Sequence, residues 1–139
     1  MRNEWDVLAV VSLGGALGSL GRWAVSRALP HAPGEFPWAT AVENLSGALL
    51  LGVLMAVVLQ VASPGRYLRP FLGVGVLGGY TTFSAYMLDT RTLLATGHLP
   101  AALGYLLGTL VGGLAAVWAG VVAGRGLAGG RGLRDGPGR

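Results

Sequence analysis

The segment 73–89, GVGVLGGYTTFSAYMLD, gathers the residues of this chain most able to do chemistry. Gly73, Gly75, Gly78 and Gly79 precede Thr81, Thr82 and Ser84, and Phe83 and Tyr86 are interleaved with the hydroxyls. Each glycine weakens a helix by up to about 1 kcal/mol relative to alanine. The hydroxyls can bond back to their own helix or satisfy backbone groups that a helix has released. Two readings stay open from the residues alone. In one, the segment is a glycine-rich packing face of an unbroken helix. In the other, the helix is interrupted near Gly78–Thr82, and freed carbonyls and amide donors become available to ions. Cysteine is absent, and His31 and His98 fall in loops without metal-ligand spacing. No embedded nucleophile or paired carboxylates suggest an intramembrane enzyme.

The elements that must position this segment are hydrophobic spans. Of 139 residues, 53% are hydrophobic and 12% charged, whereas a soluble domain carries about a quarter charged residues. Stretches 7–21, 44–65, 70–88 and 92–124 contain no Asp, Glu, Lys or Arg, and a spanning helix needs roughly 20 apolar residues. The pattern predicts an all-α integral membrane protein with four transmembrane helices: Asp6–Ala28, Trp38–Ala62, Arg69–Leu94 and Pro100–Gly124. Leu29-Pro30, Ser63-Pro64-Gly65 and Pro100 supply the breaks, and Trp38 suits an interfacial anchor. Residues 1–124 form the membrane unit, with a retained first helix and no signal-peptide pattern. The Gly/Arg-rich tail 125–139 cannot bury a core and is expected to be disordered. In such a bundle Thr81, Thr82 and Ser84 lie near the bilayer centre. Irregular backbone there survives only inside protein or beside a watery cavity.

The net charge of +4 comes from arginine alone. The arginines sit at span ends and in the tail, which argues against nucleic-acid binding. Arg2, Arg66, Arg69, Arg125, Arg131, Arg134 and Arg139 share one membrane side; Arg22, Arg27 and Arg91 share the other. That bias favours cytoplasmic termini in a cell membrane protein. Gly14 and Gly18, and Gly104, Gly108 and Gly112, recur every four residues, a spacing that lets helix backbones approach closely in lipid. Four short helices form too small a bundle to hold a pore, so some of these surfaces are expected to meet a second subunit.

GGYTTFSAY closely resembles the GG-x-TTFS-x-F signature of the Fluc (CrcB) fluoride channel family. The likeness covers about residues 8–124. GGALGSLGRW at 14–23 is similar to the family's first-helix motif. Thr40, Asn44 and Gly47 in TAVENLSGALLLG are similar to the second, and Tyr105 and Thr109 to the tyrosine and hydroxyl of the fourth. The resemblance implies an antiparallel dimer with a helix 3 broken near its middle and two narrow pores at the interface. It implies export of fluoride from the cytoplasm, and relief of fluoride toxicity. It also implies a structural sodium ion held by the carbonyls of Gly78 and Thr81 from each subunit. Phe83 would offer a positive ring edge to the anion, Asn44 an amide donor, and Thr82, Ser84, Tyr105 and Thr109 hydroxyls along the path. Arg22 would stand at a pore mouth.

The chain departs from the family pattern at four places. Tyr86 replaces the second phenylalanine, Gly113 falls where a further hydroxyl is common, and Asp89 stands for a usual glutamate. Glu43 takes an apolar position beside Asn44, and pairing with Arg22 is the expected resolution of its buried charge. These departures and the arginine bias leave a homodimer and a heterodimer with a homologue both open. Two rival functions fit less of the chain. A small proton-coupled cation exporter needs an embedded carboxylate, and Glu43 is the candidate; those exporters carry it in the first helix, which here has no acid after Asp6. A non-transporting membrane scaffold would explain the glycines but not polar residues at mid-depth on three helices.

Overall fold

The computed structural model describes residues 4–60 and 65–129. The elements are α1 (Glu4–Ala28), α2 (Trp38–Gln60), a π-helix (Arg69–Leu77), the single turn α3 (Gly78–Tyr80), α4 (Phe83–Ala95) and α5 (Leu99–Gly129). The described residues contain no strand. Among the described residues four stretches are long and apolar enough to cross a membrane: Glu4–Ala28, Trp38–Val58, Arg69–Ala95 and Leu99–Leu127.

The tryptophans mark the slab these helices fit. Trp5, Trp23, Trp38 and Trp118 are all largely exposed. On α1, Trp5 and Trp23 are separated by about 27 Å at 1.5 Å per residue. That is close to the roughly 30 Å hydrocarbon thickness, and tryptophan favours both of its boundaries. Between these levels the surface is leucine-rich: Leu13, Leu17 and Leu20 on α1 and Leu107, Leu110 and Leu114 on α5 are each at least half exposed.

With apolar surface on the outside, close backbone packing holds the spans together. Two glycine seams do this. On α1, Gly14 faces Gly75 of the π-helix so tightly that a Cβ on Gly75 would lie 2.8 Å from the Val11 carbonyl oxygen and 2.9 Å from Gly14 Cα. Gly18 likewise faces Val76 and Tyr80. On the other side of the bundle Gly52 of α2 and Gly120 of α5 bring their backbones together; a Cβ on Gly120 would lie 3.1 Å from Gly52 Cα. A small core at the loop end, made of Ala41, Tyr86, Leu93, Ala102 and Tyr105, joins α2, α4 and α5.

Beyond shifts of one or two residues at helix ends, two features differ from expectation. The last helix runs on to Gly129 instead of ending at Gly124. Gly124 is a packing residue and not a stop: a Cβ there would lie 2.7 Å from Ala56 Cβ on α2. The rest of the tail, 130–139, lies outside the described residues, as does the expected end of the second helix at Ala62. The third span also opens as a π-helix over Arg69–Leu77, a form that rarely extends beyond a turn. The α4–α5 turn is simpler. Gly97 adopts φ 80°, and Gly97 and His98 donate to the Leu94 and Leu93 carbonyls at 3.1 and 2.9 Å, the pattern of a glycine-closed helix end.

Candidate functional site

Thr81 and Thr82 are the only residues between Arg69 and Ala95 outside helical conformation. Thr81 has φ −84°, ψ 156° and Thr82 φ −148°, ψ 118°, both extended. In a continuous α-helix the Thr82 N–H would donate to the Gly78 carbonyl. Here it donates to Asn44 Oδ1 at 2.8 Å, and Asn44 Nδ2 donates to the Thr82 carbonyl at 3.0 Å. One side-chain amide from α2 therefore satisfies both backbone groups of Thr82. Three residues on, Gly47 leaves room for the Thr81 methyl; a side chain there would overlap Thr81 Cγ2.

The flanking ends are closed locally. Upstream, the Leu77 carbonyl accepts from both the Thr81 N–H at 3.0 Å and the Thr81 hydroxyl at 2.9 Å. Downstream, Thr82 Oγ1 accepts from the Ala85 N–H at 3.2 Å and lies 3.3 Å from Ser84 Oγ, capping α4. Arg22 turns inward from α1, its Nη1 3.5 Å from the Thr81 carbonyl, a long contact. A depression of about 300 Å³ opens beside this point, lined by Asn44, Gly47, Leu77, Gly78 and Thr81 among others. Gly78 is exposed at its rim.

A second polar group lies toward the α1–α2 loop. Asp89 Oδ2 accepts from Thr40 Oγ1 at 2.7 Å and from the Tyr105 hydroxyl at 3.4 Å. Tyr105 has no exposure at all, and its ring packs against Tyr86 and Phe36 at 5.3 and 5.4 Å between centroids. The Tyr86 hydroxyl donates to the Leu106 carbonyl. Phe83 behaves oppositely. Its ring lies 6.0 Å from that of Tyr86 yet is 75% exposed, projecting out of the protomer. Ser84 is exposed too, while Thr109 is half-buried one turn beyond Tyr105 on α5.

Glu43 does not pair with Arg22. Its side chain is 1% exposed, and Oε1 accepts a hydrogen bond from Ser26 Oγ at 2.8 Å. Ser26 stands one helical turn beyond Arg22 on α1, and its short hydroxyl meets the carboxyl directly, while the Arg22 side chain is drawn to Thr81.

The sequence matches, over residues 9–121, the family described as CrcB-like protein, Camphor Resistance (CrcB). The chain belongs to the CrcB family. It is 51% identical over 122 residues to the fluoride-specific ion channel FluC 2 of Nocardia farcinica, covering 88% of this chain and 84% of that protein. It is 49% identical over 117 residues to the FluC of Paracoccus denitrificans, covering 84% and 93%. With the FluC 1 of Streptomyces coelicolor it shares 47% over 117 residues, covering 84% and 76%.

In this CrcB chain, Asn44, Gly78, Thr81, Thr82 and Arg22 gather at the extended pair. Tyr86 and Tyr105 gather around the Asp89 group instead, and Phe83 and Ser84 face outward. Sequence reasoning missed three participants. Ser26 holds Glu43. Tyr80 reaches α2, its hydroxyl 3.0 Å from Ser46 Oγ. His31 faces Asp89 Oδ1 at 3.8 Å. A hydroxyl-bearing residue opposite a buried acid was the available signal for Ser26; nothing in the spacing pointed to the other two. Among the described residues no cluster of three His, Cys, Asp or Glu side chains could hold a metal.

Proposed function

We propose that this protein is one protomer of a dimeric fluoride channel that passes fluoride out of the cytoplasm. The fluoride-specific names of relatives at 47–51% identity support the choice of ion. The observation that carries the channel reading is the extended Thr81–Thr82 pair at mid-span, held by Asn44 beside an open depression. Backbone of this kind cannot face hydrocarbon. Covering it takes protein or an aqueous conduit, and a second protomer laid antiparallel over the Gly78–Phe83 face supplies both. Exposed Phe83 and Ser84 on that face support the same cover.

Fluoride is small and strongly hydrated, so a narrow path has to replace its water with short-range positive partners. The Phe83 ring edge is one. Asn44 Nδ2 carries two hydrogens, and one is committed to Thr82, which leaves the second to turn toward an anion. Thr82, Ser84 and Thr109 add hydroxyls along the path, while Tyr105 flanks it with its hydroxyl turned to Asp89 Oδ2. Arg22 contributes fixed positive charge near the interruption. Tyr86 keeps the ring but spends its hydroxyl on the Leu106 carbonyl, so its contribution is aromatic.

The sodium implied by the family fits the donor chemistry here. Thr82 N–H is diverted to Asn44, which frees the Gly78 carbonyl, and the Thr81 carbonyl retains a lone pair beyond its long contact with Arg22. Gly78 and Thr81 of two protomers would hold the ion, adding a fixed positive charge beside the anion path. The termini are assigned to the cytoplasm in this protomer from the arginine bias.

The test is fluoride efflux from liposomes holding the purified chain, alone and with a homologue from the same organism. Selective fluoride flux without proton coupling is expected, and Asn44→Ala and Phe83→Ile are expected to abolish most of it. Chloride passage at a comparable rate, or flux driven by a proton gradient, would refute the reading.

A further inference from the structure

The channel reading above carries the path from the interruption toward the α1–α2 loop, and there a carboxylate, Asp89, is the wrong kind of group for an anion. Thr40 lies four residues before Asn44 on one face of α2, and Asp89 lies three after Tyr86 on α4. The polar column therefore continues from the interruption through Thr40, Asp89 and Tyr105 toward the α1–α2 loop. Both hydroxyls bond Oδ2. Hydroxyl donors stabilise a carboxylate without cancelling its charge. Oδ1 is left to face His31 Nε2 at 3.8 Å, and the two side chains are 16% and 30% exposed.

The surrounding groups do not neutralise Asp89. From α2, Glu43 is an acid and offers no positive charge; from α1, Arg22 reaches the Thr81 carbonyl. From α5 and α4, Tyr105 and Tyr86 are neutral phenols, and Arg91 is exposed. In the loop, Glu35 is turned back onto the Ala32 N–H at 2.9 Å. His98 is engaged by the Thr96 hydroxyl at 3.0 Å. Histidine is the side chain whose charge ordinarily changes between about pH 5 and 8.

We propose that His31 and Asp89 form a proton-operated charge switch at the loop end of the path: protonated His31 cancels the Asp89 charge and admits fluoride, and neutral His31 leaves that charge bare and slows it. The switch rests on the channel reading above. Its sense suits the cargo. Acid conditions load a cell with fluoride as the neutral acid, and those are the conditions under which the switch stands open.

The test is fluoride efflux from liposomes between pH 8 and 6, corrected with protein-free liposomes for passage of the neutral acid. Wild-type flux is expected to rise about fivefold as pH falls, the scale of one unit charge near contact in a water-like medium. His31→Gln is expected to hold the high-pH rate throughout, and His31→Arg the low-pH rate. Asp89→Asn is expected to remove the response, after which His31→Gln has no further effect. A His31→Gln protein whose pH profile equals wild type, with an unchanged melting temperature, overturns the switch. Flux that is present but insensitive to pH overturns it while leaving the channel standing. No fluoride flux at any pH in any variant overturns the channel itself.

Discussion

The glycine seams and the threonine interruption both bring a backbone unusually close to its neighbour, but by opposite means. At Gly14–Gly75 and Gly52–Gly120 side chains are withdrawn, every backbone group stays in its own helix, and dispersion across a bare surface holds the pair. At Thr81–Thr82 the helix itself is given up, and Asn44 supplies the hydrogen bonds that were lost. The first arrangement tolerates no added atom and offers nothing to an ion. The second is polar and sits by an open depression, and both backbone groups of Thr82 depend on a single side chain. On the proposed function, stability and function are carried by different regions of one small bundle, and substitutions should separate them.

The largest effect is expected at the seams. Gly18→Val would drive a branched side chain into the Val76 backbone. The cost should reach or exceed the ~1–3 kcal/mol usual for overpacking, because backbone on both sides cannot yield. Loss of the folded protein in size-exclusion and thermal melts in detergent is the expected result, with flux disappearing only because the protein does. Asn44→Ala comes next. It leaves the Thr82 N–H and carbonyl unpaired, each costing about 1–3 kcal/mol if buried, so the melt should drop while the protein still assembles and fluoride flux vanishes. If Asn44→Ala conducts normally, the clamp is not what shapes the path. Thr82→Ala removes the α4 cap and should cost about 1 kcal/mol, with partial loss of flux that Thr82→Ser restores. Smallest is Gly104→Ala. Nothing lies within 4 Å of a Cβ there, so the protomer should gain up to about 1 kcal/mol from helix propensity. A fall in dimer content instead would mark that face as the one a partner covers.

The sequence disclosed the spans well, because charge-free length and proline breaks are local properties. It disclosed the first seam, where Gly14 and Gly18 are indeed packed. On α5 the repeat divides: Gly104 and Gly108 have no neighbour in the protomer, Gly112 meets Leu45, and the second seam is formed by Gly120 and Gly52. Four-residue spacing identifies a smooth face and says nothing of which partner meets it. Asn44 was legible as a polar residue in a membrane helix, but its bond to Thr82 joins positions 38 apart and leaves no local pattern. Glu43 failed for a related reason. Opposite charges were paired by sign, whereas a serine hydroxyl within reach settled the contact. The π-helix over Arg69–Leu77 has no periodic signal that distinguishes it from α.

The length of α5 has a mechanical consequence. Its 31 residues make a rod of about 46 Å at 1.5 Å per residue, well beyond the roughly 30 Å of the hydrocarbon layer. Such a rod leans or emerges, and Arg125 near its far end then rides among lipid headgroups. Because the rod is locked against α2 backbone to backbone, the two must lean as one lever, and Asn44 is mounted on that lever.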